Sequence, residues 1–187
     1  MSDDRHIAYM RQALSLARLS PPKPSNYRVG AVLVGEDEEG DTGGVIATGY
    51  TLECPGNTHA EQCCFIKLAE QYGVAEEDLS STLTTAQLPR RLALYTTMEP
   101  CSFRMSGNLP CVQRVLRLAG NGLPNSTTLR EITVYCGVTE PDTFVSKNTG
   151  RATLENAGIA VVHVPGLEED ILAVATAGHA KEDAEAQ

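Results

Sequence analysis

Leu92-Ala93-Leu94-Tyr95-Thr96-Thr97 is a short apolar run of strand-forming residues. Met98-Glu99-Pro100-Cys101 follows it, then the loop 102–109, then Pro110-Cys111-Val112-Gln113-Arg114-Val115-Leu116-Arg117-Leu118-Ala119. Pro110 suits the first residue of a helix running to Ala119, because a helix start has no use for its missing N–H. After a Gly/Asn/Pro loop, Glu131-Ile132-Thr133-Val134-Tyr135-Cys136-Gly137-Val138 reads as the next strand. Strand, helix and strand in succession are the unit of an α/β fold.

The flanking sequence extends that unit. Val29 to Val34 reads as a strand buried on both faces, and Val45 to Tyr50 as its partner. The acidic, glycine-rich turn Glu36–Gly44 between them predicts an antiparallel hairpin. Ile7, Met10, Leu14 and Ala17 mark an amphipathic helix over 4–19, stopped by Pro21, Pro22 and Pro24. His59 to Tyr72 is a helix closed by Gly73. Beyond Val138, a helix around Arg151–Asn156 ends at Gly158, Ile159 to Val164 is the fifth strand, and Leu167 to Ala180 the last helix. Residues 74–91 have no strong period and read as a surface insertion; residues 182–187 form a polar tail. The expectation is one domain over 1–187: a three-layer α/β/α fold with a five-stranded mixed sheet and helices on both faces.

Composition narrows the partners. The 187 residues carry 15 basic and 24 acidic side chains, a net charge of −9. That balance disfavours coating nucleic acid or an anionic membrane. The longest apolar run, Ile171–Ala175, is far short of the roughly 20 residues of a membrane span. Met1-Ser2-Asp3-Asp4-Arg5 has neither the basic nor the apolar region of a secretory signal, so a cytoplasmic location is expected. There the six cysteines are core residues, metal ligands or catalytic groups rather than disulfides.

Three pieces carry chemistry: His59-Ala60-Glu61, Pro100-Cys101 and Pro110-Cys111. One imidazole and two thiols suit Zn²⁺, and three protein ligands leave a fourth tetrahedral position for water. His59 and Cys111 fall at helix starts, where the dipole favours a thiolate, and Cys101 follows a strand. Glu61 sits beside His59, close enough to lie next to such a metal. The plainer reading makes the cysteines buried apolar groups. A closed structural zinc site would need a fourth ligand, which Cys63 could supply by spacing.

The chain resembles the cytidine-deaminase-like zinc deaminases, and within them the riboflavin-pathway pyrimidine deaminases. The resemblance rests on His59-Ala60-Glu61, on Glu99-Pro100-Cys101-Ser102 with the second cysteine ten residues on at Cys111, on Asn26-Tyr27-Arg28-Val29-Gly30-Ala31-Val32, on Glu140-Pro141-Asp142 and on Asn156-Ala157-Gly158-Ile159. It covers about residues 5 to 164. Phe103 stands where the bacterial branch has a His, and Tyr27 where it has a Pro; the stand-alone fungal type fits better. The resemblance implies Zn²⁺ on His59, Cys101 and Cys111, with Glu61 as the proton shuttle and not a ligand. It implies a homodimer and a phosphorylated substrate, 2,5-diamino-6-ribitylamino-4(3H)-pyrimidinone 5′-phosphate, deaminated with release of ammonia. By family analogy Asn26 binds the pyrimidine ring, and the backbone at Ala60 and Pro100 lies near the reacting amine. Thr51 is expected to line the pocket. Arg104, Ser106 and Asn108, in the loop between the cysteines, are candidate phosphate contacts, with Lys147 and Arg151 a second choice. Competing expectations are a deaminase of deoxycytidylate, free nucleoside or guanine, a tRNA-deaminase subunit or nucleic-acid editor, and a zinc-stabilised binding module without turnover.

Overall fold

Alternation along the central strands divides the side chains between two helical layers, since successive residues of a strand point to opposite faces. Ala31, Leu33, Leu92, Leu94, Ile132 and Val134 point to one face; Val32, Val34, Ala93 and Tyr95 point to the other. The computed structural model describes residues 2–37, 42–121, 129–141 and 147–179. Its strands are β1 Gly30–Glu36, β2 Thr42–Tyr50, β3 Arg91–Met98, β4 Glu131–Val138 and β5 Ala160–His163. Its helices are α1 Ser2–Ala17, α2 Ala60–Tyr72, α3 Leu79–Thr82, α4 Cys111–Leu118, α5 Gly150–Asn156 and α6 Glu168–Ala175.

The strands lie in the order β2-β1-β3-β4-β5. β1 runs antiparallel to both β2 and β3, as the hairpin reading required, and β4 and β5 continue parallel to β3. Leu94 is the centre of the register, facing Leu33 on β1 and Val134 on β4. Under one face, Phe65 and Leu68 of α2, Val112 and Val115 of α4 and Leu154 of α5 close the larger core. Under the other, Met10 and Leu14 of α1 meet Ile171 of α6 over Met98 and Val138. The result is the expected three-layer α/β/α arrangement with a five-stranded mixed sheet. Among the described residues, no helix is long and apolar enough to cross a membrane.

Several boundaries differ from the sequence reading. Pro110 is the residue preceding α4 rather than its first residue. The last helix stops at Ala175, and Thr176 turns its hydroxyl back onto the Leu172 carbonyl at 2.8 Å. The surface insertion at 74–91 is mostly exposed but anchored from below: Leu79, Leu83 and Leu88 are buried in the core cluster with α2 and β3 residues. Buried Arg130 pins this segment, donating to the Ser80 carbonyl at 2.9 Å and the Leu83 carbonyl at 2.7 Å. A 3₁₀ turn Glu76–Asp78 and the four-residue α3 are too short to show a helical period in the sequence. The polar tail 182–187 lies outside the described residues.

Candidate metal centre and active site

Where parallel strands end, their carboxyl termini and the following helix starts leave a crevice suited to a ligand. β3 ends at Met98, and Cys101 follows within three residues; Cys111 opens α4, and His59 is the residue preceding α2. α2 reaches this edge because β2 carries Gly49 beneath it: a Cβ there would sit 2.2 Å from the Ala60 carbonyl oxygen.

His59 Nδ1 lies 3.5 Å from Cys101 Sγ and 3.5 Å from Cys111 Sγ. The three donor atoms all fall within 4.8 Å of one another. Zinc–nitrogen bonds of about 2.0–2.1 Å and zinc–sulfur bonds of about 2.3 Å at tetrahedral angles put nitrogen and sulfur roughly 3.6 Å apart. The residues present therefore fit one zinc ion, with a nitrogen and two sulfurs as donors. The Cys111 backbone N–H points at Cys101 Sγ, at 3.4 Å. Hydrogen bonding from the Cys111 thiol, followed by His59, pushes the Cys101 thiol down to about 4, while Cys111 is pushed up. Cys63 turns elsewhere, its sulfur accepting the Cys54 N–H at 3.4 Å. Among the described residues the metal-binding group is His59, Cys101 and Cys111 alone. A fourth protein ligand from Cys63 is not part of it.

Glu61 lies in the first turn of α2 and is buried. One oxygen accepts from the Cys111 thiol at 3.4 Å, and the other is 3.5 Å from the Thr96 hydroxyl, which itself bonds the Met98 carbonyl at 2.9 Å. Burial, followed by the charge of Cys101, raises its carboxyl above the ordinary range, with His59 opposing. A carboxyl held beside the metal site with a raised affinity for protons suits proton transfer.

The cleft over these groups is lined by His59, Glu61 and Cys101 together with Asn26, Thr51, Arg104 and Ser106. Asn26 donates to Asn57 Oδ1 at 3.2 Å, and the Thr51 side chain accepts the Val29 N–H at 3.0 Å. Arg104 is buried, with Nη1 on Gln62 at 2.9 Å and Nη2 on the Asn57 carbonyl at 2.5 Å; its Nε has no hydrogen-bond partner. Asn108 is exposed and does not line the cleft. Neither do Ala60, whose carbonyl faces Gly49, and Pro100, whose carbonyl accepts from Asn148 at 3.1 Å. Lys147 and Arg151 are also outside the lining; Arg151 pairs with Glu99 at 3.2 Å.

Glu140, of the Glu140-Pro141-Asp142 motif, also lines the cleft, a placement the motif alone does not disclose. One of its oxygens is buried without a hydrogen-bond partner. Burial, followed by the Cys101 charge, pushes this carboxyl up to about 7. Its position at the carboxyl end of a parallel strand was the available signal. Exposed Phe103 and Met105, from the loop between the cysteines, form an apolar rim.

The sequence matches the cytidine and deoxycytidylate deaminase zinc-binding region over residues 3–121, and the chain belongs to that family. The Rib2 deaminase of Aspergillus oryzae, crystallised as a C-terminal deletion mutant at pH 6.5, is 45% identical, with a TM-score of 0.78 over 93% of this chain and 92% of that one. The same deaminase in complex with DARIPP is 46% identical, with a TM-score of 0.79 over 93% and 91% of the two chains. The diaminohydroxyphosphoribosylamino-pyrimidine deaminase of Schizosaccharomyces pombe is 33% identical over 179 residues, 96% of this chain. This chain spans 37% of that relative's length.

Proposed function

We propose that the protein is a zinc-dependent deaminase that hydrolyses 2,5-diamino-6-ribitylamino-4(3H)-pyrimidinone 5′-phosphate to the 2,4-dione and ammonia, in riboflavin biosynthesis. The observation that carries this is the imidazole and two sulfurs at zinc-ligand spacing with the Glu61 carboxyl against them. The names of the S. pombe and A. oryzae relatives and the DARIPP complex support the substrate class.

Zinc held by His59, Cys101 and Cys111 would supply Lewis acidity, making hydroxide available near neutral pH. Glu61 accepts the proton of the attacking water and returns it to a ring nitrogen; it then takes the proton of the new C2 hydroxyl and passes it to the departing amine. The bond from C2 to its exocyclic nitrogen breaks, and a water oxygen takes its place. Asn26 and Thr51 hold the pyrimidine ring, and Arg104 and Ser106 face the phosphate. The backbone at Ala60 and Pro100 lies near the reacting amine, and Asn108 supports Arg104 on the shared Asn57 carbonyl. The same reading makes the protein a cytoplasmic homodimer acting on a small phosphorylated pyrimidine. A net charge of −9 agrees with a partner other than nucleic acid or membrane.

The test offers the purified protein the ribitylamino substrate, its ribosylamino counterpart and deoxycytidylate, and follows ammonia release. Turnover of the ribitylamino compound is expected. Turnover of deoxycytidylate alone would keep the chemistry and overturn the substrate.

A further inference from the structure

Ser25, Asn26 and Tyr27 line the cleft from the loop that leaves α1 through Pro21, Pro22 and Pro24. The opposite end of the described chain lies against this loop. The Arg28 N–H donates to the Ala175 carbonyl at 3.1 Å. His179 Nε2 is 3.0 Å from the Asn26 carbonyl, across a separation of 153 residues. The His179 and Tyr27 rings have centroids 5.1 Å apart. At Gly178 a Cβ would lie 2.2 Å from the Lys23 nitrogen and 2.6 Å from the Pro22 carbonyl carbon, so backbone packs directly on backbone. Tyr27 passes the contact onward: its hydroxyl donates to the Pro141 carbonyl at 3.3 Å, one residue beyond the cleft-facing Glu140.

We propose that the turn 176–179 clamps the substrate loop, and that His179 is a positioning residue that sets where the Asn26 side chain meets the substrate. This rests on the reading that the cleft binds the pyrimidine substrate. Asn26 has a short side chain, so its amide goes where its backbone is held; Ser25 on its Oδ1 at 2.8 Å and Asn57 on its Nδ2 at 3.2 Å fix the remaining rotation. Losing the His179 N–H removes one of the groups that hold the Asn26 carbonyl, beside the Asn26 bridge to Lys23, and leaves the loop less ordered before substrate arrives. Ordering then occurs at the binding step, and the metal site and Glu61, carried on other elements, keep their geometry.

The experiment compares zinc-loaded full-length wild type, His179→Leu, His179→Gln and Gly178→Ala by two measurements. One is backbone hydrogen exchange over 23–28 without substrate; the other is steady-state kinetics on the ribitylamino substrate. His179→Leu is expected to speed exchange in the loop but not in α2, and to raise KM about five- to tenfold with kcat within about twofold. His179→Gln keeps a donor near the Nε2 position and is expected to restore both. Gly178→Ala is expected to loosen the loop by forcing a Cβ into the Lys23 backbone, and to behave like the leucine variant. Unchanged exchange in both His179→Leu and Gly178→Ala would overturn the clamp, whatever the activity. A loosened loop with unchanged KM, or equal falls in kcat and kcat/KM, would overturn the positioning role. Failure of wild type to turn over the compound would overturn the substrate reading instead, and the exchange comparison would still decide the clamp.

Discussion

Glu61 has a buried carboxyl, two residues from His59 and in contact with Cys111. Replacing it with Gln keeps the shape and removes the titratable carboxyl. Glu61→Gln is expected to lower turnover by about 10²- to 10⁴-fold, with zinc content, measured by plasma emission, staying as in wild type. Turnover near wild type would remove the shuttle role. Glu140 gives a pH prediction. Its folded value of about 7 exceeds the ordinary 4.5, so between those values the folded protein binds more protons than the unfolded chain. Its carboxyl therefore favours folding below that window, and the advantage is lost as pH rises through 7. In metal-free protein, Glu140→Gln is expected to be more stable than wild type at pH 8 by about 1 kcal/mol after discounting for partial exposure, and about equal at pH 4. Urea midpoints at the two pH values check this. The sequence offered His59, Cys101 and Cys111 as a zinc set because histidines and cysteines are few here and one nitrogen with two sulfurs suits that metal, whereas the role of Glu61 came from the resemblance to the zinc deaminases. The sequence did not reveal that Glu140 faces the cleft, since an acid before a proline resembles any polar turn. Nor did it place Asn108 outside the lining, because a residue's number within a loop does not say which way the loop folds.

The elements that build the site depend on close packing as much as on pattern. α2 can bring His59 and Glu61 to the sheet edge only while position 49 lacks a Cβ. Gly49→Ala is expected to destabilise the protein by about 1–3 kcal/mol through overpacking, and to weaken zinc retention against a chelator. Denaturant unfolding and zinc release measured with a colorimetric chelator test the two effects. Arg130 ties the 74–91 segment to the start of β4. Arg130→Met strands the Ser80 and Leu83 carbonyls and is expected to cost about 2–4 kcal/mol, with little effect on kcat at a temperature where the variant is folded. The five strands and the helices bearing the metal-site residues were legible because their apolar runs have a clear period. Leu79, Leu83 and Leu88 were not, since they enter the core from a segment with little regular structure, held by a side chain some 50 residues away. α6 ends short of the expected Ala180 because the chain turns back after Ala175 to pack on the 22–28 loop, although apolar Ala177 continues the helical pattern.

At the scale of the whole molecule, the mixed sheet brings residues 42 and 52 positions apart to 3.5 Å of one another. The unfolded chain lacks that convergence, so metal binding is linked to folding. Removing the metal with a chelator is expected to lower the thermal midpoint by several degrees, in a manner dependent on chelator concentration, and returning zinc to restore it; no change on chelation would contradict a shared site. The most direct measurement is X-ray absorption at the zinc edge on the purified protein. The expected result is one zinc per chain with two sulfurs at about 2.3 Å and two lighter atoms at about 2.0–2.1 Å, one from His59 and one from solvent. Three or four sulfurs around the metal, or protein that folds and turns over without zinc, would contradict it.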